Sequence, residues 1–308
     1  MKICSFVPSA TEILFALGLG DSIVGVSHEC DVPAEALTKP RLLSTVVDQQ
    51  RMTSEQIDTL VRTSLAHHQS LYRVDQAGLR AAAPELIITQ DLCEVCAVDT
   101  AVVTQALHSL PYRPAVISLH PHTLADILDD IRRIGEAAGR QAQAGRLVES
   151  LRARLATVQQ LVDGQPRPRV FCCEWFQPLM ASGHWVPEQV TLAGGEEVIG
   201  RAGGPSGYVT WESIEAAAPE VIVLMPCGFS LQRAHHELAV LTRAPAWRRL
   251  PAVRTGQVYL INGPAYFNCS GPRLVDGVEL LAALLHPDCC AAPTGTATHF
   301  LQVVSEKK

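Results

Sequence analysis

His28 and Cys30 stand two apart in "HEC" (28–30), and Cys93 and Cys96 form a C-x-x-C in "CEVC" (93–96). An imidazole and three thiolates make a donor set for tetrahedral zinc, and a C-x-x-C pair is a common half-site. The same pair can exchange disulfides when one thiol has a depressed pKa. Glu29 or Glu94 beside a thiolate or a metal-bound water would supply a base, so a zinc-binding or thiol-dependent enzyme is one reading. Reduced thiols that pack or touch a ligand are another, because one C-x-x-C without a second specifies neither chemistry.

A second group is aromatic. The chain has four Trp, five Tyr and seven Phe. Six of these gather in three loops: Trp175, Phe176 and Trp185 in "CEWFQPLMASGHW" (173–185), Phe229 in "MPCGFS" (225–230), and Tyr266 and Phe267 in "GPAYFNCSGPR" (263–273). Such a concentration suits a large, flat or apolar ligand, although rings in loops also cap cores. Glu174, His184, Cys227 and Arg273 lie in the same loops, and Pro8, Ser9 and Asp91 lie in corresponding loops of the N-terminal half. Ser9 or Thr11 would also serve to cap the helix that follows, with Glu12 matching its positive end. His67-His68 and His235-His236 fall on polar helical stretches and are expected in solvent.

What must position these loops is written twice. "AAAPELII" (81–88) and "AAAPEVIV" (216–223) are nearly the same phrase. In each an alanine-rich helix meets Pro, which cannot continue it, and then a β-branched run typical of a buried strand. Strands alternating with helices imply parallel sheets covered on both faces, so the fold class is α/β with two lobes. Residues 123–163 repeat apolar side chains at helical spacing and predict a long, stiff helical connection. The expected divisions are a lobe at 1–122, the connection at 123–166, a second lobe at 167–288 and a tail at 289–308. The stretch 48–75 predicts one further helix in the first lobe. Ligands of open α/β sheets bind beyond the carboxyl ends of strands, which places the binding cleft between the lobes.

The composition excludes other classes. A net charge of −6 with scattered Lys and Arg offers no basic face for nucleic acid. No apolar run reaches the length of a membrane span. With Met1 taken as native, the N-terminus shows no secretory-signal pattern, and ten cysteines at irregular spacing fit a reducing compartment, so the expected location is cytoplasmic.

Along about residues 2–287 the chain resembles the substrate-binding proteins of cobalamin and iron-siderophore importers. The likeness rests on "FVPSATEILFALGLGDSIVGVSHECDVP", the two Pro-Glu strand junctions, the helical connection, and "ASGHWVPEQVTLAGGEEVIG" followed by "TWESIEAAAPEVIVL". It is nearest to cobalamin-binding members without a signal that carry "HECD" and "LCEVCAV". The resemblance implies two lobes joined by a long helix, a ligand held between them and no catalysis. It makes cobalamin or a related corrinoid the expected ligand, for storage, delivery or sensing or as part of an importer, with haem or a ferric siderophore as the alternative. By the general chemistry of neutral imidazole, His28 or His184 could ligate cobalt from its loop, with a core or hydrogen-bonding histidine as the alternative reading. Importer members dock on a permease through one glutamate per lobe; Glu212 occupies that place in the second lobe, but the matching position in the first is Ala77, so permease docking is doubtful.

Overall fold

The two copies of the repeated phrase fold identically in a computed structural model that describes residues 1–67, 69–91, 100–108, 110–296 and 299–303. Each begins with a seven-residue helix, Gln76–Ala82 or Trp211–Ala217, capped by Asp75 or Thr210. Each helix ends on an alanine in the left-handed region, Ala83 at φ 49° and Ala218 at φ 44°. Pro84 or Pro219 follows, and the chain enters a central strand. The bend is costly for a residue with a Cβ, and two copies of it mark a constrained junction.

In chain order the strands of the first sheet are β1 (Ile3–Ser5), β2 (Ile23–Ser27), β3 (Arg41–Thr45), β4 (Tyr72–Val74), β5 (Leu86–Gln90) and β6 (Ala115–Leu119), arranged β4-β3-β2-β1-β5-β6. All pair in parallel except β4, which runs antiparallel to β3. The second sheet has β7 (Arg169–Trp175), β8 (Met180–Ala181), β9 (Glu196–Glu197), β10 (Gly207–Tyr208), β11 (Val221–Leu224), β12 (Val258–Ile261) and β13 (Phe300–Gln302). Its order is β10-β8-β7-β11-β12-β13, with β9 pairing β7. Within the expected tail at 289–308, β13 closes one edge of this sheet antiparallel to β12. The α/β fold with two helix-covered sheets is therefore the one the sequence implies.

The helices used below are α1 (Pro8–Ala16), α2 (Ser54–Ala66), α3 (Gln76–Ala82), α4 (Thr100–His108), α5 (Leu124–Ala137), α6 (Gln141–Val162), α7 (Val186–Leu192), α8 (Trp211–Ala217) and α9 (Leu231–Glu237). Four more follow: α10 (Ala239–Thr242), α11 (Pro251–Thr255), α12 (Gly263–Tyr266) and α13 (Leu274–Leu285). The 22 residues of α6 span about 33 Å. Its buried stripe, Ala144, Val148, Leu151, Leu155 and Val158, joins one apolar core that runs from β1 and α1 through α5 to α13. Arg154 on the same helix binds Asp276 and Glu279 of α13.

The stretch 48–75, expected to add a helix to the first lobe, packs differently from that expectation. Ile57 and Val61 of α2, with Leu71, are buried in a second core made otherwise of second-lobe residues such as Phe171, Phe176, Phe229 and Leu260. The helix belongs to the first lobe in sequence but its apolar face packs on the second. Its capping box, Thr53 with Gln56, sets where it starts.

Candidate functional site

Contacts between the lobes, Glu12 with Arg273, His122 with His184 and Ser54 with Trp175, mark the seam where the loops after the strands meet. The turn after β2 is fixed by Arg41, whose guanidinium donates to the carbonyls of Ser27 (2.5 Å) and Cys30 (2.6 Å). Cys30 is fully buried and accepts from Thr11 Oγ1 at 3.1 Å. Burial pushes its thiol above the ordinary value, so it is a packed thiol and not a ready thiolate ligand. His28 is half-buried beside Tyr72, with Nε2 3.9 Å from Glu29. Cys93 and Cys96 lie outside the described residues, and among the described residues no three His, Cys, Asp or Glu side chains are placed to hold a metal. The expected zinc set is thus unsupported, with Cys30 turned into the core.

The aromatic loops are also corrected. Phe176, Phe229 and Phe267 are at most 1% exposed, and Trp185 and Tyr266 are 4% exposed. These rings are core. The Trp185 indole donates to the Phe267 carbonyl at 2.7 Å, which ties the loop before α7 to the loop before α13. Trp175 keeps a partly open face, but its ring lies 5.1 Å from Phe229 and its indole donates to Ser54 at 3.2 Å. Loops supply rings of this size either to ligands or to the layer beneath: α2 covers the layer that holds Phe176 and Phe229, while Trp185, Tyr266 and Phe267 join the core shared with α6 and α13. Cys227 is half-buried after β11.

Pro8 is the first residue of α1, with Val7 and not Ser9 at its N-cap. Ser9 is buried, and Thr11 turns inward to Ser5 and Cys30. Glu12 does not serve the helix end either. It crosses the seam and accepts two hydrogen bonds from Arg273, at 2.9 and 2.5 Å. Arg273 is therefore engaged within the protein instead of standing free for an anionic ligand.

Glu174 sits at the end of β7, accepting from Ser206 Oγ at 2.8 Å. Burial pushes its carboxyl from 4.5 up to about 7, against the lowering effect of its hydrogen bonds. Below pH 4.5 the folded and unfolded chains both hold this proton. Between 4.5 and about 7 only the folded chain holds it, so stability falls through that window. Glu174→Gln cannot ionise and is expected to gain up to about 3 kcal/mol over the native chain at pH 8 while matching it at pH 4. Urea titrations at both pH values test this; parallel profiles for the two chains would sink it.

One cluster was missed. His120 and His122 follow β6, their rings 4.6 Å apart, and His184 of the second lobe lies 5.8 Å from His122. Asp91 after β5 approaches His120 Nδ1 at 2.8 Å. His184 occupies the left-handed region at φ 52°, held by its N–H to Gly204 and its carbonyl to Gly203. A bulky residue kept in that conformation is a strained placement of the kind found at binding sites. Burial first, and then His122 and His120, hold its imidazole below the ordinary value. The signal was available: "HPH" follows directly on the apolar run "AVISL" (115–119), which predicts a strand delivering both rings to the cleft.

The periplasmic binding protein family matches residues 81–265. The chain belongs to this family. A vitamin B12-binding protein of Vibrio cholerae is 27% identical over 288 residues, which is 92% of this chain and 88% of the relative. An uncharacterised ABC transporter substrate-binding lipoprotein of Bacillus subtilis, YvrC, is 24% identical over 307 residues, covering 93% of this chain and 80% of the relative. Among solved structures, a periplasmic heme-binding protein from Pseudomonas aeruginosa superposes with a TM-score of 0.74 at 18% identity, covering 100% of this chain and 99% of that one. The periplasmic vitamin B12-binding protein BtuF of Vibrio cholerae gives 0.65 at 22% identity, covering 92% and 96%. These are binding proteins and not enzymes, as the resemblance implied. The expected cytoplasmic location is overturned: the similar proteins are periplasmic or a lipoprotein, which points outside the cytoplasm. Among the described residues no helix is long and apolar enough to cross a membrane.

Proposed function

We propose that the chain binds a corrinoid in the seam between its lobes and presents it to a membrane permease of an ABC importer. The observation that carries this reading is the 27% identity to a vitamin B12-binding protein over 92% of the chain. His28, Glu174, Trp175, His184 and Cys227 are the proposed contacts, to which the seam adds His120 and His122. Glu212 is the proposed permease contact of the second lobe: it is exposed in the first turn of α8, while α3 carries the exposed Ala77 at the same helical position. One lobe therefore docks without its glutamate. Haem is the second reading, favoured by the fold-level likeness to heme-binding proteins, one of them solved with two hemes.

The full chain is to be titrated with hydroxocobalamin, adenosylcobalamin, haem and a ferric siderophore, followed by tryptophan fluorescence and visible absorption. Saturation by a corrinoid near one equivalent is expected, with haem weaker by about tenfold or more. Saturation by haem alone would replace the corrinoid reading with the second one.

A further inference from the structure

We propose that His120 is an axial base for the cobalt of the bound corrinoid, so that the protein takes corrinoids whose axial ligand can be exchanged. This rests on the corrinoid reading and adds to it the class of corrinoid accepted. His120 Nδ1 lies 2.8 Å from Asp91 Oδ1 and 3.1 Å from the Asp91 carbonyl oxygen. A carbonyl oxygen can only accept, so Nδ1 carries the hydrogen and donates to Asp91. In the neutral ring the remaining lone pair is then on Nε2. A carboxylate holding one ring nitrogen while the other faces a metal is the usual way proteins orient an imidazole ligand and raise its basicity.

The position suits such a ligand. His120 follows β6 at the carboxyl edge of the first sheet, and its side chain is 55% exposed. His122 packs edge-on against it, and His184 reaches His122 from the opposite lobe, so the three rings line one stretch of the seam. Among the described residues no three donors stand together at metal-holding spacing. One exposed imidazole held at Nδ1 by Asp91 suits a metal that brings its own equatorial nitrogens and needs a single further donor, and imidazole is a ready ligand for late transition metals. The exchange balances simply: water leaves Co(III) as the Nε2 lone pair forms a Co–N bond, with no change of oxidation state.

The test compares aquacobalamin with cyanocobalamin, whose cyanide blocks the exchangeable position, on the full chain and on His120→Ala and Asp91→Asn. The aqua form is expected to bind at least about tenfold more tightly than the cyano form, with a shift of its visible bands. His120→Ala should abolish both the shift and the preference, so that the aqua and cyano forms bind alike, and an unchanged circular dichroism spectrum and thermal midpoint show that the variant is folded. Asp91→Asn should weaken the aqua form by about tenfold and leave the cyano form alone. A band shift that survives in His120→Ala overturns the assignment, since another group is then the ligand. Equal affinities without any shift in the native chain overturn it too, with the corrinoid reading intact. Failure of both corrinoids to bind removes that reading and this inference together.

Discussion

Arg273→Ala is expected to destabilise the protein by about 3–5 kcal/mol, because it leaves the carboxylate of Glu12 buried without its partner. The Glu12 side chain is 6% exposed and accepts both hydrogen bonds from the guanidinium, with Cys269 Sγ 3.4 Å away. Burial pushes the Glu12 carboxyl up, and Arg273 pulls it back. Without Arg273 the opposing pull disappears and the carboxyl rises further. The variant should therefore keep more of its stability at acidic pH and lose it as pH rises through the new value. Glu12→Leu combined with Arg273→Met removes both charges and should recover most of the loss, since an apolar pair avoids the desolvation cost. Chemical denaturation of the three chains measures this. A loss below about 1 kcal/mol for Arg273→Ala would mean that the pair behaves as a surface contact. The pair also ties α1 of one lobe to the start of α13 of the other, so its strength bears on how far the seam can open.

The elements were legible because they follow from local rules. Pro84 and Pro219 end helices wherever they stand, and the β-branched runs after them leave little choice but strand. The period of Leu147, Leu151, Leu155 and Val158 announced α6 in the same way. The site was less legible because its rings are sorted by contacts distant in sequence. Phe229 and Phe176 read as ligand-facing only while α2 was assigned to the first lobe alone. Once Ile57 and Val61 pack on the second lobe, the same rings are interior. Cys30 looked like a metal ligand in "HEC", but Thr11, nineteen residues earlier, turns inward to meet it. His120 was passed over because "HPH" sits where a strand hands over to the connecting helices, and Asp91, which orients it, lies 29 residues away. Location is a matter of a leader and a partner membrane, and no packing rule encodes it.

Phe229→Ala is expected to cost about 3–5 kcal/mol while leaving ligand affinity of the folded fraction near the native value. The ring is 0% exposed, and two contacts with it, together with a salt bridge behind one of them, show what rests on it. Trp175 packs at 5.1 Å and reaches over to Ser54 of α2. Arg233 lies with its guanidinium carbon 4.3 Å from the ring centroid, and donates to the carbonyls of Gln49 (3.2 Å) and Met52 (2.7 Å) of the other lobe. Glu237, paired with Arg233 at 2.8 Å, accepts from the Ser54 amide and hydroxyl at the start of α2, each at 2.7 Å. Removing the ring leaves a cavity under Trp175 and takes away the surface on which Arg233 lies, so the hold on α2 loosens with the core. Phe229→Leu keeps most of the volume and should cost less than about 1.5 kcal/mol. The two variants differ in packing but would differ little as flat platforms, since both lack the ring. If Phe229→Ala and Phe229→Leu both keep native stability and both abolish binding, the ring is a ligand contact and its assignment to the core fails. If stability falls in the predicted order while corrinoid affinity holds, the ring is core, and α2 is held on the second lobe by the packing it shares with Phe229.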